Sequence, residues 1–194
     1  FRNTNHRAIR YTMSEHHSNP IEETQDWLVK AVIGLNLCPF AKGPHMKEQI
    51  RYVLSEARDL EQLIADLQTE LEYLASADIN DTETTLLIHP QVLNDFLDYN
   101  DFLEIADELL IEMKLDGVLQ VASFHPDYQF ADTQADDITN FTNRSPYPTL
   151  HLIREESIDR AVEAFPEAET IFEANMNTMR RLGLAGWKKL FLKD

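Results

Sequence analysis

The apolar positions of this chain change period along its length. Leu28, Ala31, Val32 and Leu35 fall on one face of a helix. Asn19-Pro20-Ile21-Glu22 gives that helix a cap, a proline at its first position and an early acid, and Gly34 marks its end. Leu60, Leu63, Ile64, Leu67, Leu71 and Leu74 trace a second stripe behind an Asp59/Gln62 capping pair. From Gln91 to Leu115, Val92, Phe96, Leu103, Ala106, Leu110 and Met113 predict a third helix, broken near Asn100 and closed by Asp116-Gly117. Two further helices are predicted over 157–165 and 166–182, separated by Pro166 and ended by Gly183. Four short runs predict strands: 50–54 (IRYVL), 84–89 (TTLLIH), 118–124 (VLQVASF) and 149–154 (TLHLIR).

Strands separated by helices of 10–25 residues imply parallel crossovers. The pattern therefore predicts one α/β domain over 19–183 with a four-stranded mixed sheet, its first three strands parallel and its fourth free to run antiparallel. Residues 1–18 read as a flexible extension and 184–194 as a basic tail. The polar stretch from Asp127 to Pro148 is about twice as long as structureless connections usually run, and such loops are commonly functional or disordered.

Composition narrows the partners. The chain has 194 residues, with 17 Lys and Arg against 34 Asp and Glu, a formal charge of −17. That balance argues against general nucleic-acid binding and against an anionic membrane surface. The charge is concentrated: residues 59–116 hold 16 acids and one base, Lys114, most of them opposite the leucine stripes. They read as solvated helix faces. No segment has the length of a spanning helix and the N-terminus lacks an apolar signal core, so a cytoplasmic location is expected. One cysteine excludes an internal disulfide framework.

Candidate chemistry gathers at one sheet edge. His89-Pro90 ends the second predicted strand and His125-Pro126 the third, so parallel strands would bring both histidines to the edge where open α/β sheets bind ligands. The long loop starts at that edge with Asp127, Asp132, Asp136 and Asp137 and returns with Asn143, Arg144 and Ser145. His125 is a candidate acid/base, oriented by a carboxylate such as Asp137. Arg144 is a candidate anion clamp, flanked by Asn143 and Ser145, with His89 as a further contact. Cys38 precedes Pro39 at an expected helix start near Lys42, a context favouring thiolate. The competing reading is a small buried apolar residue. His151 alternates with Thr149 and Ile153 and reads as a satisfied core histidine. No glycine-rich phosphate loop and no Gly-x-Ser-x-Gly elbow is present.

The strings NLCPFAK (36–42), FHPDYQFAD (124–132) and NFTNRSPYPTLHLIRE (140–155) resemble a bacterial and plant family catalogued as domain of unknown function 1415. The resemblance spans about residues 21–183 and implies no activity, cofactor or catalytic residue.

Three functions are thus expected in competition. The first is a small enzyme acting on an anionic molecule through Cys38, His125 and Asp137, with Asn143, Arg144, Ser145 and His89 holding the substrate. The second is a metal-binding protein using His89, His125 and a loop Asp. The third is a non-catalytic adaptor whose acidic helices dock a basic partner. Cofactor and oligomeric state are not legible.

Overall fold

Four β-strands form the centre of a computed structural model that describes residues 19–165, 167 and 170–192. They are β1 (Ile50–Leu54), β2 (Thr84–Ile88), β3 (Leu119–Phe124) and β4 (Thr149–Arg154), within two residues of the apolar runs that predict them. The expected N-terminal extension lies outside the described residues.

The sheet order is β1-β2-β4-β3. Only β1 and β2 pair in parallel; β4 enters between β2 and β3 and is antiparallel to both. The expected block of three parallel strands is therefore corrected. The crossover after β2 carries β3 one strand-width further out, and the segment 127–148 returns β4 into the gap. Two successive antiparallel pairings still leave β3 pointing the same way as β1 and β2. The carboxyl ends of these three strands share one edge, where Ile88 and Phe124 both pair with Thr149.

Helices cover both faces. On one face lie α3 (Leu60–Ser76), capped by Asp59, and α4 (Phe96–Glu112), capped by Asp95. Their Leu63, Leu67, Leu71, Leu74, Tyr99, Phe102 and Ala106 pack on Leu87, Leu119, Leu150 and Leu152. Each such leucine contributes about 1.5–3 kcal/mol on burial. The expected break at Asn100 is absent. The irregularity comes earlier, where Leu93 takes a left-handed conformation (φ 59°) before the Asp95 cap.

The opposite face is covered by α1 (Pro20–Trp27), which runs into a π-helical turn over Leu28–Ile33, by the short α2 (Lys42–Met46), by α5 (Glu155–Ala164) and by α6 (Ile171–Lys189). Asn19 caps α1 through its side-chain oxygen, as the sequence predicts. Trp27, Leu28, Ala31 and Val32 form a second core with Ile50, Tyr52 and Phe124. Gly183 (φ 63°) interrupts α6, but helix resumes beyond it, and Trp187, Leu190 and Phe191 join this core. Much of the expected basic tail is thus packed structure. None of the described helices is long and apolar enough to cross a membrane.

Candidate functional site

The edge expected to hold the chemistry is assembled, and most of its polar groups are committed to structure, His89 Nε2 being buried without a partner among the described residues. His125 is completely buried, as is His89. The Asp127 N–H donates to His125 Nδ1 (3.0 Å), so Nε2 carries the proton and donates to the Leu93 carbonyl (3.1 Å). Both ring nitrogens are occupied. Burial holds the ring neutral by pushing its pKa down, against the weaker pull of the Leu93 carbonyl and of Asp127 and Asp95. His89 donates through Nδ1 to the Val92 carbonyl (3.0 Å), stacks on Tyr99 with centroids 5.8 Å apart, and is pushed down to about 4 by burial. Tyr99 lies between the two histidines. Its hydroxyl donates to the Thr149 carbonyl (2.8 Å) and accepts from the Phe124 N–H (3.2 Å), tying β3 to β4 where they begin to diverge.

The long loop is also internally bonded. Asp137 caps a 3₁₀ turn over Ile138–Thr142, accepting from the N–H and the hydroxyl of Thr139, which hold its carboxyl below the usual range. Its side chain accepts no bond from His125. Arg144 donates from Nε to the Tyr128 carbonyl (3.1 Å) and from one terminal nitrogen to the Ala135 carbonyl (2.7 Å), while its guanidinium lies 4.4 Å above the Phe141 ring. This is a staple across the loop, with two of the fork's five donors spent on carbonyls. The carbonyl of Asn143 receives the His125 N–H (3.2 Å), and the Ser145 hydroxyl donates to the Tyr147 carbonyl (2.6 Å). Arg144 and Ser145 line an open cleft with Glu22, Glu23, Asp26, Trp187 and Phe191. Those carboxylates make the cleft a poor seat for an anion.

Cys38 is elsewhere. It lines a cavity of about 330 Å³ between the sheet and its outer helices, together with His151. Neither His125 nor Arg144 borders that space. The floor is the sheet face of Ile50, Thr84, Leu86, Ala122, Phe124, His151 and Ile153; the roof comes from Trp27 and Val32 on one side and from Ile158, Ala161 and Val162 of α5 on the other. Period-two alternation produces this floor, because residues 149, 151 and 153 of β4 point opposite to Leu150 and Leu152. The expected helix start at Cys38 is a turn instead, since α2 begins only at Lys42. Burial pushes the Cys38 thiol up by more than the amides of Phe40 and Ala41 draw it down, so at neutral pH it is a thiol.

His151 has a defined tautomer. The Thr84 hydroxyl donates to the Leu152 carbonyl (2.6 Å) and therefore accepts from His151 Nε2–H (2.8 Å). Burial pushes this ring down to about 4 as well. The strand alternation of Thr149, His151 and Ile153 places it on the floor, but a satisfied core histidine gives the same pattern. Cys38 reaches the same space from the turn that follows the π-helical segment, a tertiary placement that no local pattern signals. Among the described residues no group of three or more His, Cys, Asp or Glu is arranged to hold a metal.

Residues 19–189 match the family described as Protein of unknown function (DUF1415). No curated protein and no solved structure matches the chain.

Proposed function

We propose, from the premise that the chain belongs to this family of unknown function, that it binds a small, largely apolar molecule in the cavity beneath α5. Cys38 and His151 are the reactive groups the ligand meets there. The observation that carries this reading is the cavity itself. Its volume of about 330 Å³ lies in the range of small-molecule sites, and its wall is apolar apart from a few convergent polar groups. A Cys/His site is the chemical centre of this reading, with His151 rather than His125 beside the cavity that Cys38 lines.

The lone thiol is its own reporter, because modification of this chain by a thiol reagent reads Cys38 alone. An apolar reagent such as N-phenylmaleimide should alkylate Cys38 faster than a sulfonate-bearing maleimide, the reverse of an open aqueous thiol's indifference. Saturating 2-methylnaphthalene should slow that alkylation at least tenfold. Equal rates for the two reagents, with no protection by the hydrocarbon, would sink the reading.

A further inference from the structure

The polar wall of the cavity restricts what its ligand can carry. No lysine or arginine borders it among the described residues. Its one carboxylate, Glu83, faces Arg160 at 3.5 Å. An anionic head group buried here would lose its hydration, find no cation on the wall and meet Glu83. What the wall does offer is an acceptor. The bond chain from His151 Nε2–H to Thr84 to the Leu152 carbonyl spends the ring's only proton. His151 Nδ1 is left with a lone pair and no partner among the described residues. β4 is an inner strand of the sheet, and the opposite face is packed by α3 and α4. The space open to the ring is therefore the cavity it lines.

We infer that the cavity selects an apolar molecule ending in a neutral hydrogen-bond donor, a phenol or alcohol, whose O–H donates to His151 Nδ1, and that it discriminates against the corresponding carboxylate. This rests on the cavity being a binding site and goes beyond it by naming the head group. Thr84 is then a positioning residue: by accepting from Nε2 it keeps the lone pair on Nδ1. Without that bond the ring can swap tautomers and present a donor.

Three probes share one ring system and differ at one substituent: 2-naphthol, 2-methylnaphthalene and 2-naphthoate. Their affinities are measured by fluorescence titration at pH 7.5, where the naphthol is neutral. The expected order has 2-naphthol roughly 3- to 10-fold tighter than 2-methylnaphthalene, the size of one neutral hydrogen bond. The naphthoate should be at least tenfold weaker than the naphthol. His151→Phe should erase the advantage of naphthol over methylnaphthalene while leaving methylnaphthalene bound, and Thr84→Val should shrink it. Methylnaphthalene affinity reports whether each variant keeps its cavity, so a misfolded variant is recognised directly. Naphthoate binding as tightly as naphthol, or a naphthol advantage that survives His151→Phe, overturns the head-group inference while the cavity reading stands. If none of the three binds, the cavity reading itself falls.

Discussion

Three cases among single side chains carry testable consequences of their own: a pair of neutral histidines, the buried Tyr99 and the partly exposed Arg144. His89 and His151 are both held neutral, at about 4, where an exposed ring titrates near 6.5. Between those values the unfolded chain binds more protons than the folded one, so stability falls as pH drops from about 6.5 towards 4. The gap corresponds to roughly 3 kcal/mol per ring as an upper bound. Urea midpoints at pH 7, 6 and 5 should decline steadily in the wild type and decline less in His89→Gln; a flat wild-type profile contradicts the buried neutral rings. Tyr99 is the second case. Tyr99→Phe leaves the Phe124 N–H and the Thr149 carbonyl without their partner, which should cost about 1–3 kcal/mol in denaturant unfolding. Arg144 is the third. As a staple rather than a ligand clamp, Arg144→Met should speed amide hydrogen exchange across 127–148 and leave ligand affinity in the cavity unchanged.

At the scale of elements, local signals were readable where one residue type has one job. Asn19 and Asp59 cap the helices that follow them, and the strand limits follow the apolar runs, whereas Asp137, read as a partner for His125, turns out to be a cap. Sheet order was not readable in the same way. A crossover of some thirty residues reaches either the adjacent position or the one beyond it, and only the later arrival of β4 decides between them. The π turn was equally hidden. Leu28, Ala31 and Val32 fit an ordinary helical face, yet the wider turn over Leu28–Ile33 sets where the chain emerges towards Cys38. Gly34 is part of that device, because a Cβ there would collide with the Lys30 backbone carbonyl. Gly34→Ala should therefore lower stability by about 1–3 kcal/mol, although alanine is the better helix former. It should also alter the rate at which Cys38 is alkylated. An unchanged rate with unchanged stability would show that the turn does not position the thiol.

For the whole molecule, charge and chemistry are segregated. The acidic run over 59–116 puts most of its acids on α3, α4 and their approaches on one face of the sheet; Glu70 is buried and paired to Arg51 at 2.7 Å, and Glu83 borders the cavity on the other face. The cavity lies on the other face, under elements drawn from both ends of the described chain. This arrangement explains which part of the site was legible. His89, His125 and the Asn143-Arg144-Ser145 run converge because strand direction and loop length bring them to one edge, and both can be read locally. Their commitment to carbonyls and amides is tertiary and cannot be. Cys38 stood out as the lone thiol, but its neighbour His151 is 113 positions away and is brought beside the same space only by the packing of α1 and α5 on the sheet.

The central claim is that this space receives a ligand. Ala122 lies on its floor, and Ala122→Phe would fill volume there while leaving Cys38, Thr84 and His151 in place. A calorimetric titration of 2-naphthol into both proteins tests the claim most directly. One saturable site is expected in the wild type, with a negative heat-capacity change from apolar burial, and at least a tenfold loss of affinity in the folded variant. No saturable binding in the wild type, or equal affinity in Ala122→Phe, would contradict it.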